Sequence, residues 1–528
     1  MTRPSCGRAG VLALLVLAGA PVAPAGAQIT EGILAPAGRL RLEVAPSFHL
    51  WDHRFGLREE GSSQIEEDEP LGFDLEGESY ERYFDVSAVE TRLRAVLADP
   101  TLDLKLGTTA AKISRERNEV VFGMALGVFD WLTLGANVPL VQSRSEIVVD
   151  FRGADLGPTP VSQALITFRS VLGTSAAELQ TRRDQECPAG PECGALTDLV
   201  ARYGSFASEL NVAYGQQLFL ATGSAPAAAL EARLAAFRAE ASERAPEVAM
   251  PGAPPLAQPF SEEDLVARLT GAPALLRPFQ TDMLPWELGD VELTAAVRVL
   301  EGAVRDSATA PARFRYRLGA QALVRLPTGT PDDPDVPLDI GGGDGQMDVE
   351  FGGFADLRWS RVGIQAAARR GMQQATTLIR RVAPPETVMA PVETRRTVRW
   401  TPGSYLEVEV APRWHLTDEF AFGVLYRGVS KNQDEYEEVA DPPVAPGLHP
   451  ASVLALETAS TLTEVGLGLA YSTVTTWREG RARLPLDLSL AVRKAIAGSG
   501  GATPKGWRFE ASGRAFIRLW GASPTPTP

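Results

Sequence analysis

Apolar residues occupy every second position along many segments of this chain. In "ARFRYRLGAQALVRLPTG", Phe314, Tyr316 and Leu318 begin a series that continues to Leu326. The positions between them include Arg313, Arg315, Arg317 and Arg325. A two-residue period is that of a β-strand with one apolar and one polar face. We therefore predict a strand over 312–326 whose polar face is mostly arginine.

The same alternation recurs on both sides of a differently patterned middle segment. With 312–326, the predicted strands are 40–51, 89–97, 102–113, 118–128, 132–149, 291–300, 347–359, 362–372, 405–415, 420–429, 463–474, 484–493 and 507–519. The weakest assignment is 89–97, because its apolar residues also fit a helical stripe.

Two architectures give such alternation: a soluble sandwich with a dry core, or a membrane barrel with apolar faces toward lipid. The segments run about 10 to 14 residues, which suits a tilted membrane-crossing strand better than a sandwich strand of about five or six. Short and long connections also alternate, as in membrane barrels. We predict an all-β, transmembrane antiparallel up-and-down barrel of about fourteen strands, or twelve if the two segments before residue 102 leave the wall.

In such a barrel the polar faces line the lumen. The predicted lumen-lining residues are Arg313, Arg315, Arg317, Arg325, Asp348, Glu350, Asp356, Arg358, Glu407, Glu409, Arg508, Glu510 and Arg514. Arg317 and Arg325 are eight apart, as are Asp348 and Asp356, so one antiparallel register sets both pairs side by side. That register also sets Arg315 against Arg358. These charges either guide a polar or anionic solute or form a salt-bridge ladder, and we favour the ladder.

Between residues 150 and 286 the pattern becomes helical. Helix-like stretches begin near 159, 194, 225 and 261, and Ser261 and Asp264 have the spacing of a capping box. We predict a helical insertion over 151–285, between barrel parts at 28–150 and 286–520. It either caps the mouth of the barrel, folds into the lumen, or is a disordered or decorative outer loop.

The N-terminus predicts export. Arg3 and Arg8 precede the apolar run "GVLALLVLAG", and Ala25 and Ala27 flank Gly26 in a signal-peptidase pattern. We interpret 1–27 as a removed signal peptide, which predicts an outer-membrane location. The last residues, 521–528, are predicted to be a disordered tail.

Charge and cysteine content narrow the partners. With 51 Lys and Arg against 66 Asp and Glu, the net charge is −15, which argues against nucleic acid. After processing, Cys187 and Cys193 remain, and their close spacing in an oxidising compartment predicts a disulfide. Nothing in the sequence calls for a cofactor.

Two further groups invite a chemical interpretation. The loop 327–348 gathers aspartates around a glycine cluster, which suits calcium, but we favour a solvated acidic loop because the ligand spacing is irregular. His49, Asp52 and His53 lie near the outer rim, where an acid beside an imidazole can activate water. His415 and His449 lie in other parts of the chain and do not join this group, so no catalytic constellation is complete and we predict no catalytic residue.

Three stretches carry a resemblance to a known family: "FGMALGVFDWLTLGANVPLV", "LGDVELTAAVRVL", and "VRLPTG" leading to "GGGDGQMDVEFGGFADLRW". They resemble outer-membrane β-barrels identified as transporters of the phenol meta-pathway type, more distantly the long-chain fatty acid transporters. The resemblance implies passive uptake of small, often hydrophobic molecules. It covers about half of the mature chain and says little about substrate.

The sequence therefore favours an outer-membrane channel or passive transporter for small hydrophobic or anionic molecules. Its expected partners are outer-membrane lipid, a small solute and the barrel-assembly machinery, although Trp520 is followed by "GASPTPTP" where an aromatic terminus is typical. The alternatives are a non-transporting surface scaffold or adhesin plugged by its insertion, and a rim hydrolase.

Overall fold

The protein is described here by a computed structural model that covers 33–60, 63–76, 80, 84–187, 192–271, 276–277, 282–305, 313–336, 338–385, 387–439, 447–500 and 503–520. The described residues form two compact units. Among the described residues, a barrel unit draws on 33–71, 112–147 and 282–520, and a helical unit on 72–111 and 148–277. The predicted signal peptide and C-terminal tail lie outside the described residues.

Within the described part of the chain, twelve antiparallel strands close into a barrel, since the last strand pairs with the first. In chain order the wall strands are β1 (Arg39–Glu60), β3 (Thr108–Phe129), β4 (Leu132–Arg152), β8 (Glu292–Val304), β9 (Phe314–Arg325), β10 (Asp348–Trp359), β11 (Val362–Gln373), β14 (Tyr405–His415), β15 (Phe420–Lys431), β17 (Ser460–Ser472), β18 (Leu486–Ser499) and β19 (Pro504–Arg518). Closure leaves the wall without a free edge, as a bilayer requires.

The alternating pattern separates the two faces of this wall. Outward positions such as Phe351, Leu467 and Leu490 are 55%, 52% and 62% exposed although they are apolar. One rim of the outer face carries exposed aromatic residues. They are Phe129, Trp131, Trp359, Trp414 and Trp520. An apolar belt bordered by aromatic residues is the outer surface of a membrane-spanning barrel, and we place the chain in the outer membrane on this ground.

The connections orient the barrel. Short turns join β3 to β4, β10 to β11 and β14 to β15, all at the end where Gly38 contacts Trp520. The opposite end carries the longer connections, among them 326–347 and 374–404. Short turns face the periplasm in bacterial barrels, so the end with Gly38 is the periplasmic end.

The strand count agrees with the sequence in total and corrects it in detail. Among the described residues the sheet has fourteen strands, because β2 (Ser63–Pro70) pairs with β1 and β7 (Glu287–Leu288) pairs with β4. Only twelve close the barrel, the lower of the two predicted numbers. The strand predicted at 89–97 is wrong, since that segment is helical. The two strands predicted at 102–113 and 118–128 are also wrong as separate elements, because 108–129 forms a single strand.

The helical unit contains the predicted helices. Its helices are α1 (Phe73–Glu76), α2 (Val86–Leu97), α3 (Gln163–Glu186), α4 (Glu192–Ala213), α5 (Ala225–Arg244) and α6 (Glu262–Thr270). Side chains at the N-cap accept backbone hydrogen bonds in four of these helices, and Ser261 and Asp264 form the predicted capping box. The unit's apolar core includes Leu199, Leu230 and Leu234, each 0% exposed.

Smaller elements complete the described chain. Strands β5 (Leu156–Pro158) and β6 (Leu218–Leu220) pair with each other. Strands β12 (Thr376–Arg381), β13 (Arg395–Thr401) and β16 (Glu435–Glu438) form a separate sheet, and α7 (Val474–Arg478) lies between β17 and β18. Across the described residues, no helix has both the length and the apolar character to cross a membrane.

Candidate functional site in the barrel lumen

The register between β9 and β10 places their charged residues in facing pairs. Asp348 lies opposite Arg325, and Asp356 lies opposite Arg317, which is the pairing that the spacing predicts. Because paired residues share a face, this row of charges points to the same side of the wall as the buried residues. That side is the lumen.

The other predicted lumen residues follow the same alternation. Arg315 and Arg358 face each other in the same register, and Arg313 lies immediately before β9 and is exposed. The remaining predicted residues lie on the inner faces of β10, β14 and β19. They are Glu350, Glu407, Glu409, Arg508, Glu510 and Arg514.

Arg325 is the centre of a buried cluster of charges. Its guanidinium group lies 2.5 Å from a carboxylate oxygen of Asp348, 3.1 Å from one of Glu292 and 3.2 Å from one of Glu350. The Tyr405 hydroxyl also donates to Glu350. Asn137 of β4 donates to Glu292 at 3.1 Å, which extends the cluster across the β4–β8 junction.

The cluster continues from strand to strand around the wall. Arg369 pairs with Glu350 at 3.4 Å and with Glu407. Arg427 then bridges Glu407, at 3.1 Å, and Glu464, at 2.7 Å. We call this series the ion-pair belt, and its members are Glu292, Arg325, Asp348, Glu350, Arg369, Glu407, Arg427 and Glu464. Each of them is at most 5% exposed.

Two further arginines connect β18 and β19 to their neighbours. Arg514 lies 3.0 Å from Glu43 of β1, and Arg493 lies 3.0 Å from Glu510. Arg493 also approaches Glu409 of β14 at 3.6 Å, although β14 and β18 are not adjacent in the wall. Charged side chains therefore line the interior on most of the strands.

Sequence reasoning missed several of these residues. The omitted partners are Glu43, Glu292, Arg369, Arg427 and Glu464. A signal was present: Glu464 is the one charged residue of β17, and Arg427 lies in the middle of β15, where the other charged residue is Lys431 at the end of the strand. In a barrel, such a charge avoids lipid and faces the lumen.

The segment before β1 turns into the lumen. The Ala35 amide donates to the Thr133 hydroxyl at 3.0 Å, and Arg41 donates to the Ile33 carbonyl at 3.0 Å. Leu34 packs with Ala296, Phe354 and Ala367 on the inner wall. Gly319 is required beside this cluster, because a Cβ there would lie 2.2 Å from a ring atom of Phe354 and 2.4 Å from the Val297 carbonyl oxygen.

Two cavities open from the lumen on either side of this segment. The central chamber, of about 80 Å³, is lined by Ile33, Arg41, Asn137, Gln321, Glu350 and Arg369, among others. The vestibule, of about 420 Å³, is lined by Leu34 and Pro36 and by six charged residues. Those six are Glu301, Arg315, Arg317, Asp356, Arg358 and Arg413. The vestibule lies at the periplasmic end, near the β10–β11 turn.

The central chamber is lined by amides with unused hydrogen-bonding atoms. Within the described residues, neither Nε2 of Gln321 nor Oε1 of Gln365 has a hydrogen-bond partner. Both side chains line the chamber, and Gln365 is only 3% exposed. Buried polar atoms of this kind are normally satisfied by water or ligand, so the chamber is suited to polar occupants.

The rim histidines are close in sequence but differ in setting. The His53 ring nitrogen Nδ1 lies 2.8 Å from Asp52, and both side chains are partly exposed. His49 stacks on Trp51 at 4.5 Å and lies opposite Arg117 and Arg508 on neighbouring strands. A bulge between Trp51 and His53 interrupts the alternation.

The aspartates of the outer loop are engaged within the protein. Asp332 pairs with Arg380 at 2.7 Å, and Asp335 with Arg381 at 3.0 Å. Asp339 accepts the Asp333 amide at 2.8 Å. Over the part of the chain that the structure describes, no group of three or more acidic, histidine or cysteine side chains is arranged to hold a metal ion.

The predicted disulfide concerns two half-buried residues. Cys187 is the C-cap of α3, and Cys193 lies in the first turn of α4. Residues 188–191 between them lie outside the described residues. The disulfide stays a prediction, which mass spectrometry of the unreduced protein tests.

Comparisons with known proteins give matches among solved structures. No protein-family model and no curated protein matches the chain. An outer membrane channel from Pseudomonas putida F1 is similar at 8% identity and a TM-score of 0.38, over 92% of this chain and 97% of that chain. A TodX variant, a monoaromatic hydrocarbon channel, is similar at 9% identity and a TM-score of 0.26, over 92% and 91%. CymD, also a monoaromatic hydrocarbon channel, is similar at 8% identity and a TM-score of 0.23, over 92% of this chain and 90% of that chain.

All three of these solved structures are described as channels. The fold itself is established by properties of this chain, namely the closed strand pairing and the apolar outer face.

Proposed function

We propose that this protein is an outer-membrane channel for small solutes, hydrophobic or anionic ones among them. The observation that carries the proposal is the pair of cavities within the lumen, the central chamber and the vestibule. A barrel whose interior served only to fill space would be packed by side chains, as small barrels are. Here the interior keeps space lined by polar groups.

The ion-pair belt supports a second candidate, a non-transporting scaffold or adhesin. Its members are almost completely buried, so at that level the interior is occupied by the protein's own side chains. A permanently filled interior would give a stable surface barrel that conducts nothing. The two candidates therefore make opposite predictions about ion current.

Planar-bilayer recording of the refolded mature protein distinguishes them. We expect stepwise ion current if the chain is a channel, and Gln321→Trp should reduce it because the larger side chain fills the central chamber. The matched control is Ala320→Trp, one residue away on the exposed outer face of β9. Equal currents from both variants would mean that the central chamber is not on the path, and silence from the folded wild type would favour the scaffold.

A deletion tests the contribution of the insertion. The variant lacking 158–285 should be compared with the full chain after both have been shown to fold by heat-modifiable migration in gels. A larger single-channel current in the deletion variant would show that the insertion restricts passage. An unchanged current would show that the insertion does not restrict passage.

A further inference from the structure

The central chamber stays open because small residues surround it on the lumen face. Gln321 of β9 lies between Ala296 of β8 and Gly352 of β10, and Arg369 of β11 lies opposite Gly352 on its other side. All four residues line the chamber. Because Ala296 and Gly352 carry little or no side chain, space remains beside the longer side chains of this row.

Two glutamines present unpaired amide atoms to this space. Nε2 of Gln321 and Oε1 of Gln365 are buried, and neither atom has a hydrogen-bond partner in the ranges of the chain that the structure describes. Gln365 is only 3% exposed and lies on the lumen face of β11, four residues before Arg369. A buried amide atom without a partner is unfavourable, so an occupant that hydrogen-bonds to it is favoured.

The charged side chains that line the chamber are already paired. Arg41 lies 3.6 Å from a carboxylate oxygen of Glu43, and Arg514 lies 3.0 Å from the other oxygen of the same group. Arg369 lies 3.4 Å from Glu350 and also pairs with a carboxylate of β14. A charged solute would have to break one of these buried pairs, which is costly, whereas a neutral solute would leave them intact.

The size of the chamber limits the body of the solute. Its volume of about 80 Å³ compares with about 30 Å³ for one water molecule in the liquid, so an occupant has only a few heavy atoms. Apolar side chains that are at most 5% exposed line the rest of the chamber. They include Ala45, Val121, Ala125 and Leu323.

We infer that the central chamber binds small neutral solutes that carry a primary amide group. Such a group places a carbonyl and an N–H side by side, so it can pair with a glutamine amide at two points in one plane. A half-turn of the glutamine amide exchanges its donor and acceptor, and the solute's amide complements either orientation. The inference rests on the proposed channel function, since it names a class of solute for the same lumen.

Binding is tested without any need for conduction. The probe is acetamide, titrated into the full mature protein in deuterated detergent and followed by saturation-transfer NMR. We expect saturable binding to the wild type and a dissociation constant raised about tenfold in the Gln321→Leu/Gln365→Leu variant, because the hydrogen bonds to the solute are lost. Silence in bilayers would count against the channel proposal and leave this result unaffected. Loss of acetamide binding with a persistent current would overturn only the inference about the solute.

Matched variants give the measurement its controls. Gln374→Leu makes the same change at an exposed position just after β11, outside the chamber lining, and should bind acetamide like the wild type. Heat-modifiable migration shows that each variant is folded. Gln321→Leu and Gln365→Leu alone should each show a weaker form of the effect, so the test remains decisive if the double variant does not fold.

Four outcomes would overturn the inference. They are absence of acetamide binding to the folded wild type, equal affinity in the wild type and the glutamine variants, equal affinity for acetate, and equal affinity for acetone. The third would show that the chamber does not select a neutral solute. The fourth would show that the N–H groups of the amide are not recognised, since acetone keeps the carbonyl and replaces the amino group by a methyl group.

Discussion

The two compact units of this chain bury opposite kinds of side chain. In the barrel unit the interior holds Arg325, Arg369 and Arg427 with their carboxylate partners, while large apolar residues are exposed on the outer face. In the helical unit the interior holds residues such as Leu199 and Leu234, and ion pairs lie toward the surface. The difference follows from the surroundings, because the outer face of a membrane barrel meets lipid and the surface of the helices is built for water.

This contrast shows that the ion-pair belt is not primarily a source of stability. Burying a pair of charges costs desolvation that their attraction only about offsets, so apolar replacements are often neutral or stabilising. The barrel is held together by its closed backbone hydrogen bonding, since the last wall strand pairs with the first. The belt pairs the charges on the lumen face of the strands with one another, and its net contribution to the free energy of folding is small.

The largest effect is expected when one member of the belt is removed. Arg427→Met leaves Glu407 and Glu464 buried without their bridging cation. We expect the free energy of unfolding to fall by about 3–5 kcal/mol, measured from the denaturant midpoint of heat-modifiable migration. Arg361→Met, in an exposed turn, should change it by less than about 0.5 kcal/mol.

A small effect of Arg427→Met would contradict the difference drawn between the two units. It would mean that water reaches the belt and screens both carboxylates, so that the barrel interior is not buried in the same sense as the helical core. The triple change Arg427→Met/Glu407→Gln/Glu464→Gln sharpens the test, because removing all three charges should recover much of the lost stability.

In the helical unit the comparable change is apolar. Leu234→Ala removes a completely buried side chain from α5, and we expect a loss of about 3 kcal/mol, followed by circular dichroism at 222 nm. Glu231→Ala, at an exposed position of the same helix, is the control. If Leu234→Ala leaves the helical signal unchanged, this core does not hold the helices together as the barrel wall holds the strands.

How far the sequence predicts each unit depends on the range of the interactions involved. The two-residue period predicted the wall strands, because lipid and lumen impose it on every residue. The spacing of Arg317 and Arg325 against Asp348 and Asp356 even predicted a register. The capping residues around Ser261 predicted a helix start, because caps are local interactions.

Other features depend on contacts that no local pattern contains. The segment at 86–97 is helical because Asp85 caps it and its apolar stripe, from Val86 to Val96, is buried, although the same residues fit a strand. The segment "SRER" continues β3 instead of turning, because Arg115 and Arg117 donate to the carbonyls of Leu338 and Gly341, more than 200 residues away. The vestibule likewise requires strands that are distant in sequence.

Alkaline pH should weaken the helical unit. Burial raises the pKa of Tyr203 from 10 to about 12, although its hydrogen bond with Ser175 opposes the shift. The folded state favours the neutral phenol, so this stability is complete below pH 10 and is lost as the pH rises toward 12. At pH 11 we expect a loss of about 1 kcal/mol, measured by denaturant unfolding at 222 nm. Tyr203→Phe should reduce the pH dependence, and an unchanged dependence would assign the effect to other groups.

The smallest effect we expect is at the start of α6. The Ser261 hydroxyl accepts the Asp264 amide, and the Asp264 carboxylate accepts the Ser261 amide at 3.0 Å. Ser261→Ala should lower the free energy of unfolding by about 1 kcal/mol and speed hydrogen exchange of the first amides of α6. Ser261→Thr should leave both quantities unchanged, because a threonine side chain also caps helices. If the alanine and threonine variants show the same hydrogen exchange, α6 is held by burial of Leu265 and Leu269 alone. The helical unit would then depend on its apolar interior even at the ends of its helices, whereas the barrel depends on strand pairing.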